Sequence, residues 1–118
     1  MELENPTRSI TTKDGGFGGT IRKGIKQVED WDKWIEGSFH SLNLIFKKYK
    51  NKRVELPDEF RVLNKSRINY VVIAGRRADF SKQTYDEKMR LQRSENIKVL
   101  HYDNLIDTFK KLQVCENY

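Results

Sequence analysis

The sequence is poor in the residues that staple, bend or anchor a chain. Cys115 is its one cysteine, so no disulfide can form within the chain, and a zinc site built on cysteines lacks its ligands. A lone thiol suits a reducing compartment. The two histidines, His40 and His101, show no metal-ligand spacing. Only two prolines, Pro6 and Pro57, interrupt the chain. Long hydrophobic runs are also missing. The longest, Tyr70–Ala74, is far too short to cross a bilayer, and no basic segment followed by an apolar one opens the chain. A membrane partner is therefore not expected, and the expected location is cytoplasmic. No serine or cysteine stands beside a base in a nucleophile elbow, which removes the common acyl-transfer chemistries.

What is present describes a small folded domain. Hydrophobic residues make up 36% of the chain and charged residues 34%, which predicts a modest core inside a heavily solvated exterior. Six Phe, five Tyr and two Trp in 118 residues argue against disorder, and the length fits a single domain. The formal net charge of +6 makes a polyanion a plausible partner, because Lys and Arg neutralise phosphates and release counterions. Many basic domains are nonetheless merely soluble.

Along the chain the period changes several times. Residues 1–5 form a short edge segment with Leu3 as its apolar residue, and 6–19 is loop chemistry. Four of the seven glycines fall between Gly15 and Gly19. That loop lacks the phosphate-loop pattern and its preceding strand, so it reads as a flexible turn. From 20 to 118 the pattern is an α/β body. Ile21, Ile25, Val28, Trp31 and Ile35 share one helical face, with Thr20 as the expected N-cap. Leu42, Ile45, Phe46 and Tyr49 continue a helical pattern beyond Gly37-Ser38, as one bent helix or as two. Ile68–Ala74 is the best strand, ended by Gly75. Residues 81–93 form a helix with Tyr85, Met89 and Gln92 on one face. Ile97–Tyr102 is a further strand, and Asp103 caps a last helix carrying Leu105, Ile106, Phe109 and Leu112. The order predicts an α/β fold with a small, mostly parallel sheet of about three strands flanked by helices.

Three constellations could carry chemistry. Glu2 and Glu4 share one face of any strand they form, and paired carboxylates suit a hard divalent cation. An acidic start to a chain is also common, and the pair alone says little. Gln27 lies one turn before Trp31 at the margin of the helical face, where a boundary glutamine is the plainer reading. Arg76 and Arg77 follow the buried strand, at the edge where open parallel sheets bind ligands, and their guanidiniums suit phosphate; a solvated loop explains them equally well.

Taken in order, Glu2-Leu-Glu-Asn-Pro6, Gly24-Ile-Lys-Gln27-Val-Glu-Asp30-Trp31, Val72-Ile-Ala-Gly75-Arg76 and Tyr102-Asp-Asn-Leu105 resemble the C-terminal nuclease domain of Shedu immune proteins. Those proteins belong to the PD-(D/E)xK superfamily of metal-dependent nucleases. The resemblance runs from Glu2 to about Leu112. It implies a partial restriction-endonuclease-like core, a Mg²⁺ or Mn²⁺ cofactor, DNA as partner, and a role in antiphage defence. It further implies catalytic positions at Glu2, Glu4 and Gln27, with Glu2 and Glu4 as metal ligands and Arg76, Arg77 and Lys23 contacting nucleic acid. Glu4 stands where the family has lysine, and a carboxylate cannot replace an ammonium at a scissile phosphate. The family's hairpin aspartate is expected before residue 1. The resemblance thus predicts a truncated domain with an exposed sheet edge at Leu3, through which copies could associate. The alternative is a non-catalytic interaction or oligomerisation module.

Overall fold

Strands and helices alternate in the computed structural model, which describes residues 1–116: β1 (Glu2–Leu3), α1 (Gly19–Tyr49), β2 (Tyr70–Ile73), α2 (Lys82–Glu95), β3 (Ile97–Leu100) and α3 (Tyr102–Glu116). All strand pairs are parallel in the order β1-β2-β3, with Glu2 opposite Val72 and Tyr70 opposite Ile97. The expected α/β class and small parallel sheet are therefore present. β1 is held by few contacts: Glu4 N donates to Ile73 O at 2.9 Å, continuing the ladder just past the strand. Leu3, at 56% exposure, lies on the sheet's outer strand.

The chain divides into two units, Met1–Val28 with Asn69 onward, and Glu29–Ile68. In the first, Ile10, Phe17, Ile21, Ala74, Phe80 and Val99 form the buried cluster. Each of the Ile, Val and Phe side chains contributes about 1.5–3 kcal/mol when fully withdrawn from water. Ile10 and Phe17 come from the glycine-rich loop, which is tied down rather than free. Gly18 N donates to Ile10 O at 2.7 Å, and both Ser81 Oγ and Thr84 Oγ1 donate to Gly15 O. The expectation of a flexible turn fails because two apolar residues inside the loop find a core to enter.

Several local expectations are corrected. α1 is one continuous helix through Gly37-Ser38. Thr20 lies within it, and its hydroxyl donates to Ser9 O at 3.0 Å instead of capping. The packed side of α2 carries Thr84 and Leu91, whereas Tyr85 and Met89 are exposed, because Thr84 is drawn to the Gly15 carbonyl and Leu91 to the core. Ser81 is the N-cap, accepting from Thr84 N. Asp103 does not cap α3; Asn104 Oδ1 accepts from His101 N at 3.1 Å, and Asp103 is drawn to arginines. Leu105, Ile106, Phe109 and Leu112, apolar residues of this helix, are 41–60% exposed.

In the second unit, Phe46 meets Phe60 edge-on, with centroids 5.0 Å apart, and buried Asn43 donates to Phe60 O. Lys65 bridges Asp32 and Glu36, which raises its pKa through those hydrogen bonds. Trp31, on the apolar face read for α1, is half-buried.

Candidate functional site

Parallel strands bring their carboxyl ends to one edge of the sheet, where ligands of open α/β sheets bind. Here that edge gathers Glu4 after β1, Gly75-Arg76 after β2 and His101-Tyr102 after β3. Backbone bonds stitch them: Ala74 N donates to Leu100 O, and Tyr102 N to Gly75 O, both at 3.0 Å. The Tyr102 hydroxyl crosses the edge to donate to the Glu4 carbonyl. Its pKa is raised by burial and by the negative charges of Glu4 and Glu2, so it stays protonated as a donor.

Glu2 and Glu4 occupy alternate positions around β1, and both are more buried than Leu3 between them. Glu4 is 7% exposed, and its Oε1 is buried without a hydrogen-bond partner. Burying a carboxylate oxygen unpaired is costly unless something compensates it. The carboxylate reaches this depth because α1 passes unusually close at Gly24. A Cβ there would stand 2.6 Å from Val72 Cγ1, 3.4 Å from Glu4 Cγ and 3.5 Å from Glu4 Oε1. Only glycine allows that approach.

Beside Glu4 lies a cavity of about 360 Å³ lined by Glu4, Asn5, Arg8, Gly19, Thr20 and Lys23. Gly19 and Thr20 open α1, whose first turn carries no acidic residue. The helix's uncompensated amides and its dipole therefore add positive potential there. Arg8 and Lys23 are exposed, and neither forms an ion pair among the described residues. Gln27 lies one turn beyond Lys23 on the same helical face, half-buried, and does not line the cavity.

Arg76 and Arg77 are engaged differently. Arg76 forms a two-pronged pair with Asp103, Nη2–Oδ1 2.7 Å and Nε–Oδ2 3.0 Å. Arg77 N donates to the same carboxylate at 2.7 Å, and its guanidinium pairs with Asp107. These bonds, the Arg76 fork first, hold Asp103 well below the usual carboxylate range. Both arginines sit where the sequence placed them, but their charge is already answered from α3.

The structure thus brings Glu4 and Lys23 to one cavity with Arg8 and Asn5, and sets Tyr102 against Glu4; sequence reasoning did not select Arg8, Asn5 or Tyr102 as site residues. Arg8 carried no signal, since a cation in a polar loop resembles solubility. Tyr102 stood within a motif, but its reach to Glu4 spans most of the chain.

No group of three or more His, Cys, Asp or Glu among the described residues could hold a metal by itself. Mg²⁺, however, is commonly bound through one or two carboxylates plus substrate phosphates. Glu2 and Glu4 are carboxylates of the kind that chemistry uses, and of the two only Glu4 lines the cavity. No helix among the described residues is long and apolar enough to cross a membrane. The family described as Shedu protein SduA, C-terminal, matches residues 1–106. No curated protein and no solved structure matches the chain.

Proposed function

The chain belongs to the Shedu family of antiphage-defence proteins, over the SduA C-terminal domain, and from that premise we propose that it binds DNA at the carboxyl edge of its sheet and hydrolyses a phosphodiester there. The observation that carries this reading is buried Glu4, with an unpartnered oxygen, lining a cavity that also holds two cations outside any ion pair among the described residues. Glu2 and Glu4 hold a divalent cation, Mg²⁺ or Mn²⁺. When bound, the cation supplies Lewis acidity and neutralises charge developing on the phosphoryl oxygens. Lys23, on α1 and lining the same cavity, supplies the ammonium that residue 4, just past β1, does not. Tyr102 fixes the Glu4 backbone and donates no proton to the reaction. Overall, water adds across one P–O bond to give a phosphate monoester and an alcohol.

The test is nicking of supercoiled plasmid by the full chain with Mg²⁺ or Mn²⁺, with DNA binding followed separately by fluorescence anisotropy. Glu4→Gln should lower cation-dependent nicking at least about 10-fold while leaving DNA binding intact. Cleavage that persists in Glu4→Gln would remove this site from the chemistry. Absence of both cleavage and salt-dependent binding would favour the second reading, an interaction module. That reading draws support from the exposed apolar face of α3 and from the outer position of β1.

A further inference from the structure

We infer that the outward face of the C-terminal half of α1, with the basic turn that follows it, docks on an anionic membrane surface and lies there without crossing it. The surface runs from Trp34 to Val54, wholly within the second unit, and owes nothing to the reading of Glu4.

An apolar row and a block of free cations meet on this surface. Spacings of three, four and seven put Trp34, Ser41, Leu44, Ile45 and Lys48 on one side of α1. All five are exposed, with Trp34, Leu44 and Ile45 at 50–57%, and Tyr49 in the last turn is exposed beside them. The opposite side of the helix does the packing, through buried Asn43 and through Phe46 against Phe60. A single exposed apolar residue is ordinary, but a row of them along one element marks an interaction face. Between Glu36 and Glu55 the chain has no acidic residue, and it carries Lys47, Lys48, Lys50, Lys52 and Arg53. The turn after α1 is ordered: Lys50 Nζ donates to Val54 O at 2.9 Å, Val54 N to Asn51 O at 3.1 Å and Arg53 N to Asn51 Oδ1 at 3.0 Å. It leaves Lys52, Arg53 and Val54 exposed together. Lys47, Lys48, Lys52 and Arg53 form no ion pair among the described residues.

The partner that fits must offer negative charge beside hydrocarbon. Nucleic acid answers the cations, but it offers Leu44, Ile45 and Val54 little beyond thymine methyl groups. The headgroup layer of an anionic bilayer supplies both. Lipid phosphates attract the lysines and the arginine, acyl chains take the aliphatic side chains, and Trp and Tyr rings settle at the boundary between the two. The want of a helix able to cross a membrane does not bear on this, because an interfacial helix needs only an apolar row flanked by cations.

The experiment is co-sedimentation of the full chain with vesicles of phosphatidylglycerol and phosphatidylcholine, compared with vesicles of phosphatidylcholine alone. The mixed vesicles should bind it at least about 10-fold more tightly than the neutral ones, and added salt should weaken that binding. Lys52→Gln/Arg53→Gln should lower the affinity about 25-fold, at about 5-fold per cation. Leu44→Gln/Ile45→Gln should lower it about 10-fold or more, a loss that charge alone would not produce. All four residues are exposed, so both variants should melt as the unaltered chain does. Tryptophan emission should shift to the blue on the mixed vesicles and stay unshifted in Trp34→Phe. Failure to bind the mixed vesicles overturns the inference, as does equal binding to neutral ones, an undiminished affinity in Leu44→Gln/Ile45→Gln, or a blue shift that survives Trp34→Phe. Oligonucleotide binding that Lys52→Gln/Arg53→Gln weakens, with no vesicle binding, assigns the surface to nucleic acid instead. A dimer in sedimentation velocity that Leu44→Gln/Ile45→Gln dissolves, again with no vesicle binding, assigns it to a second copy of the chain.

Discussion

His101 shows how one buried side chain can report on the whole fold. It is 3% exposed, lies edge-on to Phe80 with centroids 5.2 Å apart, and has no partner for Nδ1. Burial lowers its pKa, and the positive charges of Arg77 and Lys88 act in the same direction, outweighing Asp103 and Asp107. An unfolded histidine takes up its proton near pH 6.5, while the folded one resists it, so stability falls as pH drops below about 6.5. Denaturant unfolding between about pH 7 and 5 should show this loss, and His101→Gln should flatten it. An identical slope in the variant would move the effect to another group. Asp103 behaves oppositely: its folded pKa is depressed by Arg76, so its contribution is present above the ordinary carboxylate pKa and lost only in stronger acid. The two groups therefore act in separate pH windows. Neither window was legible in the residues, since burial and partnership across a sheet edge belong to the folded chain.

At the level of elements, the approach of α1 to the sheet decides whether a site exists. Gly24→Ala adds helix propensity of about 1 kcal/mol, but its methyl meets fully buried Val72 at 2.6 Å. Overpacking of that kind costs about 1–3 kcal/mol, so the net change should be destabilising and should push α1 away from Glu4. Thermal unfolding would show a lowered midpoint. A stabilised variant would show that the helix has slack. Periodicity in the sequence named the buried face of α1 correctly through Ile21 and Val28. The role of Gly24 could not be read there, because a glycine in a helical run looks only like a weak point. The exposed apolar residues of α2 and α3 carry a related lesson: apolar spacing identifies a face that can pack, while neighbours decide whether it does.

Across the molecule, charge is distributed less evenly than the total of +6 implies. Arg61, Lys65, Arg67, Arg76 and Arg77 are committed to carboxylates, whereas Arg8 and Lys23 are not. Salt titration of DNA binding should reflect this. Replacing Arg8 or Lys23 with alanine should each lower the log–log slope by about 1, and Arg76→Ala should change it far less. A larger effect from Arg76 would mean that DNA displaces Asp103. By itself the sequence determined the order of strands and helices, the parallel sheet, the α1 core face, and the family through motifs spread along the chain. These follow from local periodicity and from residue identity, which need no partner to be read. Only the tertiary structure decided that the glycine-rich loop enters the core, that Arg76 and Arg77 are answered by α3, and that Arg8 and Lys23 share a cavity with an unpaired Glu4. Those outcomes depend on which distant groups meet, and electrostatics and close packing act through distance in space rather than along the chain.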